Sequence, residues 1–438
     1  MDGDMTSAAA RRPAVRGAAS ALVAALVVAG CTAPGPATSA SDAVPTTIRL
    51  LMFGGPEERA AYQEVATAFH AQRPDLNVVI DAVAGQDELL ARLTTGFAGG
   101  NPPDVFLVNF RRYGQFAALG ALQPVQPLIE VSDVIDLADF FEEPLTAFRY
   151  DGGDLSCLPQ NVSSLVTYVN LDLFEAAGLD VPFDGLDWNT LVEVATALTD
   201  ADSGVYGLGT SPSLVRLAPL VWSTGAELVD DMVAPTRLTL DDFPQRDALD
   251  FLLDLNLVHE VTPPDLAEQA RGSHDRFLDG DLAMLWSSRI EVPTFRTITD
   301  FAWDVVPFPI APGGRDVTML HSDAFCLPAG LDTTDAAWAF VEFASTVPGQ
   351  TILAESGRTV PSRIDVAASA AFLRNDVPPT HAQVFLDNIQ VVRATPSTAS
   401  WNEVERRADD ILEAAFYGRI SREDARARLR ELSFAPDS

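Results

Sequence analysis

The sequence predicts an α/β protein made of two bodies, each with a central sheet covered by helices. The chain has 438 residues, enough for two or three domains with sizeable buried cores. From Ile48 onward, short continuous apolar runs alternate with amphipathic helical stretches, the pattern of a parallel sheet that is covered on both faces. A similar alternation begins again near Leu158, and it predicts the second body.

The first body is predicted to run strand, helix, strand, helix, strand. Two glycines break the first apolar run, and Pro56 then begins a helix with acidic residues in its first turn, where the helix dipole favours anions. Ligands of such sheets bind beyond the carboxyl ends of the strands, so we expect the loops 53–56 and 109–113 to contact a ligand. The predicted strands are 48–53, 77–83 and 105–108, and the predicted helices are 56–73 and 87–98.

The second body is predicted from a longer series of elements. Its first short helix is closed by Gly178, because glycine readily adopts the left-handed conformation common at a helix end. The predicted strands are 162–169, 283–286 and 301–308, and the predicted helices are 171–177, 186–198, 244–257 and 274–278. Late in the chain, 333–346 and 401–416 are also predicted to be helical, without assignment to either body.

The charge of the chain excludes several functions. It carries 62 Asp and Glu against 29 basic residues, a formal net charge of −33, and such a field repels the phosphates of nucleic acids. Every basic residue is Arg, so neither a Schiff-base lysine nor a phosphate-loop lysine exists. The five histidines lack metal-ligand spacing, and no nucleophile elbow or Gly-rich phosphate loop occurs. We therefore expect no nucleic-acid partner, no metal and no cofactor.

The N-terminus has the layout of an export signal. Arg11, Arg12 and Arg16 precede an uncharged run over 17–30 that is too short to span a bilayer. The run ends at Cys31 in a sequence that resembles the bacterial lipobox, which predicts a lipoprotein signal peptide over 1–30 and lipidation of Cys31. Residues 31–45 then form a flexible tether. The alternative is an ordinary secretory signal with an incidental cysteine.

The sequence is compatible with two roles for each of two cysteines and two tryptophans. Cys157 and Cys326 either form a disulfide, which persists in an exported protein, or are two separate buried thiols. Trp222 lies beside a turn and Trp401 begins a helix after a polar loop. Because sugar rings stack their apolar faces on aromatic planes, each tryptophan is either a sugar-binding residue or a core residue.

Ten segments together resemble the family 1 extracellular solute-binding proteins, the sugar receptors of ABC importers that are similar to maltose-binding protein. The segments occur in the family's order, from about Ile48 to Leu432. They are 50–56, 101–106, 120–124, 158–163, 168–170, 173–178, 277–284, 324–328, 359–362 and 401–403. The resemblance implies a class II periplasmic-binding-protein-like fold, in which hinge strands connect two lobes with central sheets and the ligand lies between them.

The resemblance also implies how the chain divides between the lobes. It assigns 46–159 and 323–370 to the N-terminal lobe and 160–317 and 371–435 to the C-terminal lobe. The chain is expected to cross near Gln160, Val317 and Ala370. Cys157 and Cys326 each precede Leu-Pro in strands that the family places side by side at the hinge, so the resemblance places the two cysteines close together.

A ligand site follows from the same resemblance, residue by residue. Trp222 and Trp401 are expected to stack on the ligand, while Asp87, Asn109 and Arg112 bind its hydroxyls or charge. The full set is Phe53, Gly54, Gly55, Asp87, Asn109, Arg112, Ser163, Trp222, Ser288, Arg289, His321, Asp323 and Trp401. Many members have an aromatic residue near position 289, where this chain has Ser287-Ser288-Arg289, and this difference favours an anionic or smaller ligand over a long neutral maltodextrin.

Three functions are compatible with these features. The first is a monomeric, lipid-anchored, extracytoplasmic receptor that binds a carbohydrate and delivers it to an ABC permease without catalysing a reaction. The second is a receptor for a phosphorylated polyol such as a glycerophosphodiester, because Arg112, Arg289 and Arg358 offer guanidinium groups that match phosphate oxygens. The third is a secreted glycoside hydrolase, which requires two cleft carboxylates at catalytic separation.

Overall fold

A computed structural model of the chain describes residues 44–374 and 376–434. The predicted signal peptide and Cys31, and most of the predicted tether, lie outside these residues. The strands are β1 (Thr46–Phe53), β2 (Leu76–Val83), β3 (Val105–Asn109), β4 (Leu122–Gln123), β5 (Leu158–Pro159), β6 (Asn161–Val162), β7 (Leu165–Asn170), β8 (Tyr206–Gly209), β9 (Leu282–Ser288), β10 (Trp303–Pro307), β11 (Thr318–Met319), β12 (Asp323–Pro328), β13 (Val360–Pro361) and β14 (Val392–Arg393).

The helices lie between and after these strands. They are α1 (Pro56–Gln72), α2 (Gln86–Ala98), α3 (Phe110–Ala118), α4 (Gln126–Ile129), α5 (Glu142–Ala147), α6 (Leu171–Ala177), α7 (Trp188–Leu198), α8 (Leu214–Ser223), α9 (Gln245–Leu257), α10 (Asp265–Ala270), α11 (Ser273–Leu278), α12 (Val292–Phe295), α13 (Thr334–Ala344), α14 (Val347–Glu355), α15 (Ile364–Ala367), α16 (Ala370–Leu373), α17 (Gln383–Asp387), α18 (Trp401–Phe416) and α19 (Arg422–Arg430). Short 3-10 turns occupy Leu137–Asp139, Tyr150–Gly152, Arg289–Glu291 and Asn388–Val391.

Most predicted elements are confirmed, and the differences have local causes. The helix predicted from 186 begins at Trp188, because Asp187 adopts an extended backbone and its side chain accepts the Thr190 N–H as an N-cap. The strand predicted over 162–169 is two strands, since Ser163 forms an isolated bridge with His321 between them. Residues 110–113, predicted as a loop, begin helix α3 because Asn109 caps it.

Two sheets, not parallel throughout, form the centres of the two bodies. The first has the order β2-β1-β3-β12-β4, with β5 also paired to β12, and only the β1 pairings with β2 and β3 are parallel. The second has the order β10-β7-β9-β8, and β7 is antiparallel to both neighbours. The prediction of a parallel first sheet was therefore wrong for β12, because this strand returns from the other body and runs in the opposite direction.

Two hydrophobic cores are present among the described residues, and the first extends to residues of the second sheet such as Tyr168 and Trp303. The first includes Leu50, Phe106 and Phe325, and α3 contributes to it. The second is built around Leu252 and Trp286 with the apolar faces of α8 and α18. The lobe boundaries stay a prediction. Along the chain, β5 lies in the first sheet, β7 and β10 lie in the second, and β12 lies in the first again. This order agrees with crossings near Gln160 and Val317.

A disulfide joins two neighbouring strands of the first sheet. Cys157 precedes β5 and Cys326 lies in β12, next to the pairs Phe325 with Leu158 and Ala324 with Pro159. Their Cα atoms are 4.5 Å apart, and both residues are completely buried. The structure therefore contains the bond, and the alternative of two separate thiols was wrong. Within residues 44–374 and 376–434, no helix is both long and apolar enough to cross a bilayer.

Candidate functional site

A cluster of charged side chains lies where the end of β3, the start of β12 and two helices of the second body meet. Asn109 ends β3, and its side-chain oxygen accepts the Arg111 backbone N–H at 3.2 Å. Its amide nitrogen donates to Asp323 Oδ1 at 3.1 Å. The cap of α3 thus fixes Arg111 and Arg112 at the carboxyl end of a central strand, where α/β sheets bind ligands.

Asp323 is held from the hinge side by Asn161. The Asn161 amide donates to Asp323 Oδ2 at 3.1 Å, and its oxygen accepts the Asp323 backbone N–H at 3.0 Å. Burial raises the pKa of Asp323, and the amide donors of Asn161 and Asn109 oppose that shift. Asp323 is therefore a fixed acceptor beside the segment where the chain crosses between the sheets.

Helix α18 faces α3 with the carboxylate of Glu405. Arg112 Nη2 donates to Glu405 Oε1 at 2.7 Å, and the Trp401 indole donates to Oε2 at 2.9 Å. Arg111 Nε lies 3.8 Å from Oε2. Because α3 belongs to the first core and α18 to the second, these contacts span the space between the two bodies.

One turn further along α18, Asp409 connects the cluster to α8. Its carboxylate accepts the Leu214 N–H at 2.7 Å, at the first residue of that helix. Arg216 lies in the same first turn. Glu405 and Asp409 are four residues apart and share one face of α18, so this face joins α3 on one side to α8 on the other.

Several polar atoms in this region have no partner among the described residues; the guanidinium nitrogens donate, while the Ser163 hydroxyl and the neutral His321 ring nitrogen donate or accept. The atoms are Arg111 Nη1, Arg112 Nη1, Arg216 Nε, Ser163 Oγ and His321 Nε2, all buried. Burial, followed by the charge of Arg111, lowers the pKa of Arg216 to about 10, and the same two causes lower the pKa of His321. Buried donors without acceptors are costly, so the arrangement suits a ligand that supplies oxygen atoms. We call Arg111, Arg112, Arg216, His321, Asp323, Glu405 and Asp409 the cleft cluster.

Asp409 gives the cluster a testable pH dependence. Burial, and then the neighbouring Glu405, raise its pKa from 3.8 to about 7. When the pKa of a carboxyl group is higher in the folded protein than in the unfolded chain, the folded state binds the proton more strongly. The free energy of unfolding therefore decreases as pH rises from the unfolded-state pKa to the folded-state pKa. Asp409→Asn is therefore expected to stabilise the protein more at pH 8 than at pH 4.5, by at most about 4 kcal/mol.

Denaturant unfolding of both proteins at the two pH values measures this difference. Asn keeps an oxygen for the Leu214 N–H, so the cap is retained. Asp410→Asn is the matched control, since Asp410 is the next residue on α18 and its side chain is exposed. An equal effect of Asp409→Asn at both pH values would contradict the raised pKa.

The structure brings five of the predicted site residues into or beside the cluster: Asn109, Arg112, Ser163, His321 and Asp323. Asp87 is exposed, and its charge acts on Arg406 of α18, so it faces the second body without entering the cluster. Trp401 touches the cluster through its hydrogen bond to Glu405.

The first loop contacts a neighbouring pair of side chains. A Cβ on Gly54, whose φ is +141°, would lie 1.8 Å from Glu58 Oε2. That carboxylate lies 2.6 Å from Arg358 Nε. Phe53 is buried in the first core, and Gly55 lines a shallow surface pocket with Gly54. The loop therefore packs closely against the Glu58 carboxylate. The expected contact of Phe53, Gly54 and Gly55 with the ligand stays a prediction.

Four predicted residues are placed differently by the structure. Arg289 is fully buried, 4.1 Å from the ring centre of Phe372 and 4.9 Å from that of Phe385, outside the cluster. Ser288 uses its carbonyl to accept the Tyr168 hydroxyl. Trp222 and Trp401 have no exposed surface, so neither ring has a face free to stack in this structure. Both tryptophans pack in the second core, and their expected stacking on the ligand stays a prediction.

The phosphate-binding trio is not assembled. Arg289 lies against phenylalanine rings, Arg358 is paired with Glu58, and only Arg112 lies in the cluster. Among the described residues, no group of three or more His, Cys, Asp or Glu side chains could hold a metal ion.

Four cluster residues were missed by the sequence analysis: Arg111, Arg216, Glu405 and Asp409. Arg216 is the lone charged residue in the otherwise apolar helix α8, and such a residue is expected to form an ion pair or to bind a ligand. Glu405 and Asp409 are spaced to share a helix face. Their partners are far away in sequence, and Arg112 and Glu405 are 293 positions apart.

Comparison with known proteins gives one family. The family model described as bacterial extracellular solute-binding protein matches residues 54–351, more than half of the 438 residues. The mannitol-binding protein of Pseudomonas aeruginosa is 26% identical over 304 residues, 65% of this chain and 65% of that protein. The chain thus spans about two thirds of the length of this relative.

Solved structures share the fold at low sequence identity. An ABC substrate-binding protein of Listeria monocytogenes, solved with cycloalternan, superposes with a TM-score of 0.82 at 23% identity, over 89% of this chain and 98% of that one. The GacH receptor of Streptomyces glaucescens gives 0.76 at 21% identity, over 89% and 97%. The α/β fold is therefore the two-lobed fold of periplasmic binding proteins, and the matched family model shows that the chain belongs to the bacterial extracellular solute-binding proteins.

Proposed function

We propose that the protein is the substrate receptor of an ABC importer and binds a carbohydrate or polyol at the cleft cluster. The single observation that carries this proposal is the set of buried donors without acceptors between the two cores. The relative named as mannitol-binding, and the fold neighbours solved with cycloalternan and acarbose, support the class of ligand.

The chemistry of the cluster suits hydroxyl groups. Asp323 and Glu405 accept hydrogen bonds, Arg111 and Arg216 donate them, and His321 donates or accepts according to its tautomer, while a hydroxyl both donates and accepts. The first lobe contributes α3 and the start of β12, and the second contributes α8 and α18. Each lobe alone holds half of the groups, so the ligand stabilises the closed arrangement, in which both halves meet.

A thermal-shift screen of the purified chain against neutral sugars, acidic sugars, sugar alcohols and oligosaccharides tests the proposal. A ligand that binds only the folded state raises the melting temperature. We expect at least one compound of the panel to do so, and Arg111→Gln to abolish the shift. Arg426→Gln, which removes an arginine paired with Asp250 on the far side of α9, is the matched control. If no carbohydrate raises the melting temperature, or if Arg111→Gln leaves the shift intact, the proposed site is wrong.

We further propose that the protein is anchored through Cys31 and delivers its ligand to a permease without a chemical step. The sequence around Cys31 supports the anchor, and the family's extracellular location agrees with it. In cells, Cys31→Ala is expected to release the protein from the membrane fraction, and retention there would contradict the anchor. Incubation with the bound sugar should return that sugar unchanged, and a hydrolysis product would instead support a glycoside hydrolase.

A further inference from the structure

Two arginines of the cleft cluster are poorly compensated: Arg111 has only a long ion pair with Glu405 and an Nε hydrogen bond to Asn109 Oδ1, and Arg216 has no ion pair among the described residues. Arg111 is only 9% exposed, its nearest carboxylate atom is 3.8 Å away, and its Nη1 has no hydrogen-bond partner. Arg216 is partly buried, it forms no ion pair and no side-chain hydrogen bond among the described residues, and its Nε atom is buried without a partner. Buried charges are expected to be paired, since an unpaired buried charge is costly.

The acidic groups nearby are largely committed elsewhere. Glu405 pairs with Arg112 and accepts the Trp401 indole N–H. Asp323 accepts from two amide side chains, and Asp409 accepts from a backbone N–H. Glu291, which acts on Arg216 from the side of β9, accepts from Ser287 and lies 3.1 Å from His274.

The two guanidinium groups come from two helices that both contact α18. Arg111 comes from α3 of the first body and Arg216 from α8 of the second, and the face of α18 that carries Glu405 and Asp409 touches both helices. His321 lies between the two bodies, bridged to Ser163, with its Nε2 unpaired. Each arginine lowers the pKa of His321, which indicates that both charges act on one location.

We propose that the ligand carries an anionic group, a carboxylate or a phosphate, that is held between Arg111 and Arg216, with its hydroxyl groups at Asp323 and Asn109. This inference rests on the proposed function and specifies its ligand as an acidic sugar. Arginine suits this role because its planar fork donates two parallel hydrogen bonds to a carboxylate or phosphate. A neutral hydroxyl accepts the same hydrogen bonds but supplies no counter-charge to Arg216 and adds none to the long Arg111–Glu405 pair.

Isothermal titration at constant ionic strength tests the inference with matched probes. The neutral probes are glucose and galactose, the carboxylate probes are glucuronate and galacturonate, and the phosphate probe is glucose 6-phosphate. We expect at least one acidic probe to bind at least about tenfold more tightly than its neutral counterpart, since charge-assisted hydrogen bonds are about twice as strong as neutral ones. Comparison of the uronates with the phosphate ester shows whether the preferred anionic group is a carboxylate or a phosphate.

Arg216→Met removes the guanidinium and keeps an unbranched apolar side chain. It is expected to reduce the preference for the acidic probe to less than about threefold, and Arg216→Lys to restore part of it, because lysine supplies the charge without the fork. Arg426→Met on α19 should leave the preference unchanged. The unliganded melting temperature of each variant shows whether it folds.

Two results would overturn the inference while the proposed function stands. They are neutral sugars that bind as tightly as their acids, and a preference for acids that survives Arg216→Met. Failure of every neutral and acidic sugar to bind would overturn both.

Discussion

Replacing Cys157 and Cys326 together by alanine is expected to lower the free energy of unfolding by about 4 kcal/mol. The bond links residues that are 169 positions apart, so its loss releases a long loop in the unfolded chain. Both cysteines are completely buried, and alanine is chosen because it buries no new polar group. Denaturant unfolding of the double variant measures the change.

Two controls separate the cross-link from the packing of the sulfur atoms. The single variant Cys157→Ala loses the bond but keeps the Cys326 thiol in the core. Wild-type protein treated with a reductant loses the bond and keeps both thiols, and it should unfold close to the single variant. Wild-type stability that is unaffected by reduction would contradict the disulfide. Because both cysteines belong to the first sheet, the affinity for ligand should change little.

Gly114→Ala is expected to weaken ligand binding by about tenfold or more, because it opposes the closed arrangement of the two bodies. Gly114 lies in α3, and a Cβ there would be 1.9 Å from the Ser397 carbonyl oxygen and 2.9 Å from that of Thr398. These two residues precede α18, which belongs to the second core. A methyl group at this position therefore requires the loop and α3 to separate.

The prediction is tested by titrating the sugar that gives the largest shift in the thermal screen. The unliganded melting temperature should change by only about 2 °C, since the two cores are untouched. Gly85→Ala is the control, because Gly85 has an extended backbone and an added Cβ meets nothing within 4 Å. Unchanged affinity with a greatly lowered melting temperature would show that the contact at Gly114 belongs to the stable core instead.

Local sequence signals were sufficient for most of the longer elements, though not for α3 or α8, and insufficient for most of the site. Helix α18 was predicted with its observed bounds, because its apolar residues recur at helical spacing and a polar loop precedes it. The antiparallel direction of β12 was not predicted, since a buried apolar strand looks the same in either direction. The resemblance, rather than the residue pattern, placed Asn109, His321 and Asp323 together.

The tryptophans show the limit of reading a site from residue type. Trp222 and Trp401 suit sugar stacking by chemistry, but burial depends on contacts with residues distant in sequence, such as Arg393 over the Trp222 ring and Phe434 beside Trp401. Arg216 shows the converse. From the sequence alone, a charged residue in an apolar helix looks unfavourable. Only the tertiary structure shows that α18 and α3 approach Arg216.

The central claim is that the ligand binds at the cleft cluster between the two bodies. The most direct test is a crystal structure of the chain with the compound that gives the largest thermal shift. We predict ligand oxygen atoms within about 3 Å of Arg111 and Asp323 on one side and of Arg216 on the other. Ligand bound instead in the 500 Å³ surface cavity lined by Phe183 and His381, with the cluster unchanged, would contradict the account.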